Sequence, residues 1–383
     1  MKPRILVIYG TRPEAIKVAP VIRAIDASTA LDGIVAVTGQ HREMLDQVND
    51  IFDIVPHYDL NVFEAGQPLN ALMAKVFERL DPLLAEIAPD GVLVQGDTST
   101  VTAAAIAAFY RQIPVIHLEA GLRSGNLNSP FPEEANRKLV SQIATLHLAP
   151  TRTARDNLLR EGIHGRDIVI TGNTVIDALL YTVSQSTQVS DPTLGQILRN
   201  DRPILLVTTH RRENWGPAIE SIGTAVGHLL EIHPEFQVVL PLHRNPIVSE
   251  ALRRLLADKP SVYLTDPLPY SDFTQVMAAA SIVLTDSGGV QEEAPALGRP
   301  VLVLRDNTER PEAVQAGTVR LVGTDVDRIV AEVSRLHTSR AAREAMSRAI
   351  NPYGDGTAAS RATAAIEELV GVGARLPDFS PSS

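Results

Sequence analysis

Twelve short runs of aliphatic and β-branched residues constrain this chain more than anything else in it. They lie at 5–9, 34–38, 92–95, 115–118, 146–149 and 168–171, and again at 204–208, 237–240, 261–264, 282–285, 301–304 and 320–322, with amphipathic stretches between them. A strand covered on both faces shows an unbroken apolar run, and strands that alternate with helical patterns form parallel sheets through crossover connections. The chain therefore reads as α/β, and its 383 residues exceed what one hydrophobic core usually serves. Residues 184–202 (SQSTQVSDPTLGQILRNDR) are polar and hold no convincing strand, which sets a domain boundary within roughly 170–203. A second break falls at NPYGDG, 351–356, after which 357–370 has the pattern of one more amphipathic helix, free to pack back on the first domain. The expected division is 1–170 plus 352–375 for the first domain and 171–351 for the second. The last stretch, 371–383, is rich in Pro and Ser and reads as a loose tail.

Composition excludes several classes of function. A formal charge of −10 leaves no large basic surface for nucleic acid or an anionic membrane. The absence of cysteine removes disulfides, thiolate metal sites and cysteine nucleophiles. No window approaches the roughly 20 apolar residues of a spanning helix, and the run at 5–9 is too short for a signal sequence and ends at Gly10. A soluble cytoplasmic protein is the expectation.

In open parallel sheets, ligands bind beyond the carboxyl ends of the strands, so the residues following each run are the informative ones. Segment 281–298, SIVLTDSGGVQEEAPALG, ends a buried run in Asp286-Ser287-Gly288-Gly289 and restarts as a helix, with Glu292 and Glu293 expected in its first turn. A turn with no side chains lets an anion reach the unpaired N–H groups of a helix start. Glu293 stands close enough to accept from a neutral hydroxyl such as ribose, which favours a nucleotide over bare phosphate. A tight turn followed by acids that offset the helix dipole is the plainer alternative. After the first run comes Gly10-Thr11-Arg12-Pro13-Glu14, with Lys17 on the ensuing helix, so that Arg12 and Lys17 converge on one anion; the segment is neither a Walker loop nor GxGxxG. Asp97 follows the third run and Glu119 the fourth, and Glu133 stands fourteen residues on, which places three acids at one rim of one domain. Neighbouring acids perturb each other and supply both a base and an acid; alternatively they cap helices or pair with Arg123 and Arg137. A divalent metal is disfavoured, because Asp97 has no DxD neighbour and no HxxH spacing accompanies it. In the second domain His210 heads HRREN after the first run, and His243 follows the second. Arg310, in ERPE, is suited to grip two phosphate oxygens, or else it pairs with Glu309 or Glu312.

Together the words GTRPEAIK (10–17), QHREML (40–45), GDT (96–98), HLEAGLRS (117–124), PEEANR (132–137), HRREN (210–214), TDSGGVQEEAP (285–295) and ERPE (309–312) closely resemble the non-hydrolysing bacterial UDP-N-acetylglucosamine 2-epimerases, from Arg4 to about Asp355. The resemblance implies a glycosyltransferase-B-like fold, with two Rossmann-type parallel-sheet domains facing across a cleft, commonly in a homodimer without metal or cofactor. It implies interconversion of UDP-GlcNAc and UDP-ManNAc. Carried over residue by residue, the family's nucleotide contacts fall on Arg12, Lys17, Phe273, Ser287, Gly288, Gly289, Glu293 and Arg310. Its acid–base group falls on Asp97, Glu119, Glu133 and His210, with Asp97 or Glu119 as principal proton handler, Glu133 as the second and His210 on a diphosphate oxygen. Gln40, His41, Glu134, Arg211 and His243 resemble the bacterial subgroup in which a second UDP-GlcNAc binds as an activator. Two departures bear on fine substrate preference: Gln95 stands where His often precedes the GDT word, and Leu268 replaces a commonly polar residue near the uracil.

The chemistry has its own logic. C2–H of an N-acetylhexosamine has no adjacent carbonyl in the ring, so direct deprotonation fails, and no dinucleotide motif offers an oxidative route. Expelling UDP from C1 acidifies C2–H, and a carboxylate removes it to leave 2-acetamidoglucal; re-addition with protonation from the opposite face gives the epimer. Opposite faces require more than one carboxyl group. The competing expectations are a retaining sugar transferase of the same fold, a silent nucleotide-sugar sensor, and a hydrolysing relative that releases free ManNAc.

Overall fold

The computed structural model describes residues 1–39, 42–64, 66–185, 189–243 and 245–381. Strands β1 (Arg4–Tyr9), β2 (Asp32–Val37), β3 (Tyr58–Asp59), β4 (Gly91–Gln95), β5 (Val115–Leu118), β6 (Leu146–Ala149) and β7 (Ile168–Ile170) form one sheet in the order β3-β2-β1-β4-β5-β6-β7. Strands β8 (Ile204–Thr208), β9 (Gln237–Pro241), β10 (Val262–Thr265), β11 (Ile282–Thr285), β12 (Val301–Val303) and β13 (Val319–Leu321) form another in the order β10-β9-β8-β11-β12-β13. Every described pairing within these two sheets is parallel. All twelve runs are strands. The addition is β3, a two-residue edge whose Tyr-Asp sequence carries no apolar run.

Both sheets grow outward from their first strand in one direction and then reverse, so each has a switch point, at β1/β4 and at β8/β11. There the loops leaving two neighbouring strands diverge and open a crevice. β4, β8 and β11 are buried along their whole length, which explains their unbroken apolar sequences. In the first sheet Leu6, Ile8, Val92 and Val94 pack with Val76, Leu80, Ala104 and Ala108 of helices Leu69–Ile87 and Ser99–Tyr110. In the second, Leu205, Val207, Leu240 and Leu284 pack with Ile222, Leu229, Leu252 and Ile329.

The chain forms two compact units, residues 1–178 with 353–380 and residues 179–352 with 381–383. The chain passes from the first unit to the second within helix Thr174–Gln185 and returns between residues 352 and 353. Helix Ala358–Leu369 belongs to the first unit: Asp177 accepts from the N–H groups of Ala358 and Ala359 at 3.2 and 2.8 Å, and Ser28 donates to Glu367 at 2.7 Å. Burial pushes the Asp177 carboxyl up to about 6 despite those amides.

The expectation of a loose tail is overturned for 371–380. Phe379 is buried, its N–H donates to the Ile170 carbonyl at 2.7 Å, and Asp378 accepts from Ile170 N–H at 3.1 Å. The Arg361 guanidinium lies 5.5 Å from the Phe379 ring, and Arg375 is gripped by Glu368 at 2.7 Å. One aromatic side chain, one backbone bond and one side-chain bond to the edge strand β7 outweigh a composition that reads as disordered. No helix among the described residues is long and apolar enough to cross a membrane.

Candidate active site

In the first unit the switch point brings the loops after β1 and β4 together. Thr11 caps helix Arg12–Ala27 in a capping box, and Glu14 accepts from Gly10 N–H at 2.7 Å and Thr11 N–H at 2.9 Å through one oxygen. Its other oxygen accepts from the Thr98 hydroxyl at 2.7 Å, which ties the two loops. Burial pushes the Glu14 carboxyl above its ordinary value, more than these donors lower it, and Asp97 adds to the rise.

Asp97 is held from helix Glu133–Ile143. Arg137 reaches its Oδ2 through Nε at 2.9 Å and Nη2 at 2.7 Å, and Asn136 donates to its backbone carbonyl at 2.8 Å. Both Arg137 contacts use one oxygen, so Oδ1 remains for a ligand. Glu119 has a left-handed backbone, φ 64°, a conformation that costs a non-glycine residue on the order of 1–3 kcal/mol and persists only where its surroundings impose it. Lys17 contacts its Oε1 and Gln95 its Oε2, each at 2.5 Å. The departure at Gln95 thus has a structural part: it orients Glu119. Glu133 opens helix Glu133–Ile143, and its Oε2 is buried with no hydrogen-bond partner among the described residues.

Glu134 is wholly buried and accepts from Ser124 N–H at 3.0 Å, Gly125 N–H at 3.1 Å and Arg137 at 3.1 Å. Burial pushes its carboxyl up, but these donors outweigh it and hold it below the ordinary value. Of the two arginines weighed as partners for the acids, Arg137 is one; Arg123 pairs with Glu161 at 2.7 Å.

In the second unit the loops after β8 and β11 meet at Asp286. The Thr208 and Thr285 hydroxyls join the strand ends at 2.5 Å. The wholly buried Asp286 accepts from His210 N–H, Arg211 N–H and Asn214 Nδ2, each at 3.0 Å, and from His210 Nδ1 at 2.9 Å. Burial alone raises an acid, but the His210 ring and these amides outweigh it and keep the Asp286 carboxyl below its ordinary value. With Nδ1 committed to Asp286, Nε2 is the ring nitrogen that His210, 44% exposed at its side chain, offers to a ligand.

Ser287 caps helix Gly288–Ala296. Glu292 and Glu293 are its fifth and sixth residues, so the expectation of two first-turn acids is corrected. Glu292 accepts from Arg310 Nε at 2.6 Å, and Glu293 accepts from the Tyr270 hydroxyl at 3.1 Å. A Cβ on Gly288 would stand 2.6 Å from Arg310 Nη1: glycine leaves the room in which the guanidinium lies across the helix start. Arg310 thereby prefers Glu292 to Glu309, which is 3.9 Å away.

Phe273 is half-buried one turn after Tyr270 on helix Tyr270–Ala279. His243 accepts from Asn245 N–H at 3.1 Å, and its ring lies 6.2 Å from that of Trp215. Arg211 is 3.9 Å from Glu309, whose carboxyl Arg305 draws down to about 2. Gln40 and His41 lie outside the described residues. Three residues of these constellations, Glu14, Gln95 and Asp286, were not anticipated as site residues. Asp286 had a usable signal: an acid directly ending a fully apolar strand is buried and must be bonded.

A family model described as UDP-N-acetylglucosamine 2-epimerase matches residues 23–367. The UDP-N-acetylglucosamine 2-epimerase of Escherichia coli K12 is 52% identical over 370 residues, covering 95% of this chain and 98% of that protein. A crystal structure of a UDP-N-acetylglucosamine 2-epimerase superposes with a TM-score of 0.92 at 44% identity, covering 99% of each chain. The Neisseria meningitidis UDP-GlcNAc 2-epimerase, solved bound to UDP-GlcNAc, gives a TM-score of 0.82 at 44% identity, covering 93% of this chain and 97% of that one.

Proposed function

Because this chain belongs to the UDP-N-acetylglucosamine 2-epimerase family, we propose that it is an isomerase that inverts C2 of the hexosamine of UDP-GlcNAc to give UDP-ManNAc, by eliminating UDP and adding it back. The second unit holds the nucleotide. The N–H groups following Ser287 at the helix start and the Arg310 fork take the diphosphate, joined by His210 through Nε2, which donates when the ring is charged. Glu293 accepts from ribose, Phe273 completes the nucleotide contacts, and Arg12 and Lys17 add positive charge. The C1–O bond breaks with its electron pair leaving on the diphosphate. A carboxylate takes the proton from C2, and the C1–C2 double bond of 2-acetamidoglucal forms. In the return step the diphosphate oxygen attacks C1 while a carboxylic acid delivers a proton to the other face of C2.

The observation that carries the acid–base reading is a pair of uncommitted carboxylate oxygens, Asp97 Oδ1 and the buried Glu133 Oε2. Asp97 serves as principal proton handler and Glu133 as the second, while Glu119, engaged at both oxygens, fixes Lys17. A helix terminus contributes about 0.3–2 kcal/mol, against the roughly 8–23 kcal/mol by which enzymes lower barriers. An acid–base group adds about 3–5 kcal/mol, so much of the remainder falls to the cations around the leaving diphosphate.

The protein acts in the cytoplasm as a homodimer, and a second UDP-GlcNAc activates it through Gln40, His41, Arg211 and His243, with Glu134 holding the 124–125 turn from beneath. Incubating the purified protein with UDP-GlcNAc should yield UDP-ManNAc without free ManNAc. No turnover, or accumulation of free ManNAc, would overturn the reading. Turnover of UDP-ManNAc alone should accelerate on adding a trace of UDP-GlcNAc, and an unchanged rate would remove the activator.

A further inference from the structure

At the amino ends of the second sheet's strands, just before β9 begins, a group of side chains takes no part in the chemistry above. His233 ends helix Pro217–Ile232, Glu235 and Phe236 follow it, and His337 stands on helix Val326–Thr338. One oxygen of Glu235, Oε1, lies 3.6 Å from His233 Nδ1 and 2.6 Å from His337 Nε2. One donor atom from each of the three residues lies within 4.8 Å of the other two. We propose that His233, Glu235 and His337 form a binding site for a first-row transition-metal dication of the zinc type.

Three features support it beyond proximity. Two imidazoles with one carboxylate suit zinc and its neighbours and are a poor set for calcium or magnesium, which take oxygen ligands. His233 is oriented: its Nε2 lies 2.9 Å from Ser334 Oγ, the outer bond that in metal sites fixes the ring and turns the other nitrogen's lone pair to the metal. The two imidazoles are held by packing, with ring centroids 4.9 Å apart and Phe236 4.4 Å from His337, whereas Glu235 is half-exposed and able to adjust. Donors bound tetrahedrally at about 2.1 Å stand roughly 3.4 Å apart. The His233–Glu235 separation of 3.6 Å is close to that spacing, Glu235 withdraws from His337 by less than an ångström to match it, and the two imidazole nitrogens, within 4.8 Å of each other, close on the ion. The site joins the connection ahead of β9 to a helix more than a hundred residues later in sequence and lies at the strand ends away from the Asp286 loops, so its effect falls on stability.

The test uses tag-free full-length protein stripped with a chelator and titrated with ZnCl2 by calorimetry, with thermal melting in parallel. One zinc per chain is expected, with the melting transition of the second unit rising by about 5–10 °C at a hundredfold excess over the dissociation constant. His337→Ala and Glu235→Gln should each weaken binding at least tenfold and remove the thermal shift, while epimerisation stays at the wild-type rate. Cobalt should give visible d–d absorption in wild type that His337→Ala abolishes. No stoichiometric zinc in wild type, or an equal affinity and thermal shift in His337→Ala, would overturn the site.

Discussion

The two switch points share a topology and differ in what the buried carboxylate between their loops is allowed to be. In the first unit Glu14 is met, among the described residues, by neutral donors, two amides and a hydroxyl, so burial wins and its carboxyl rises. In the second, Asp286 is equally enclosed but faces an imidazole as well as amides, so the charged form wins. One geometry therefore holds a raised carboxyl beside Asp97, the proposed proton handler, and the other an ionised carboxylate behind the His210 and Arg211 amides, the turn proposed to take the diphosphate. A neighbour's charge, more than depth of burial, decides which.

Removing the proton handlers should break the first half most severely. Asp97→Asn and Glu133→Gln should each lower kcat by about 10²–10⁴-fold with KM for UDP-GlcNAc little changed, read by steady-state kinetics; a loss below tenfold in both would remove the acids from the mechanism. Asp286→Asn leaves backbone donors facing an amide and removes the partner of His210. It should cost about 1–3 kcal/mol of stability per unpaired donor, measured by urea unfolding, together with a large rise in KM. Gly288→Ala should fold normally yet raise KM about tenfold, because the new Cβ meets the flexible end of Arg310 at 2.6 Å; unchanged KM would mean that the guanidinium does not act from that position.

The smallest effect is a difference in sign. Glu14 is raised above 4.5 in the folded state, so the unfolded chain sheds that proton first and stability falls as pH climbs from about 4.5 through the folded value. Asp286 is lowered below 3.8, so its contribution is complete above that pH and is lost as pH falls from 3.8 through the folded value. Glu14→Gln should flatten the first slope and leave the second intact; parallel pH–stability profiles for wild type and Glu14→Gln would contradict the assignment.

The strands were legible because both faces of each sheet are covered, which turns whole runs apolar, and the candidate loops were legible because they follow strand ends, where such sheets open a crevice. What escaped depends on pairing across the chain. Thr98 meets Glu14 across 84 residues, and His210 meets Asp286 across 76, and neither partner's sequence context names the other. Gln95 looked like a mere departure because its role exists only when the neighbouring strand β5 delivers Glu119 beside it. The tail was misread because its order rests on Phe379 and its neighbour Asp378, too little to register in a composition dominated by Pro and Ser.

The central claim is that carbon-bound hydrogen at C2 leaves and returns while UDP is released and recaptured. Proton NMR of UDP-GlcNAc incubated with the protein in D2O tests this most directly. The account predicts one solvent deuterium at C2 of the UDP-ManNAc formed, with UDP retained in the product pool; epimer carrying its original hydrogen at C2 would contradict it.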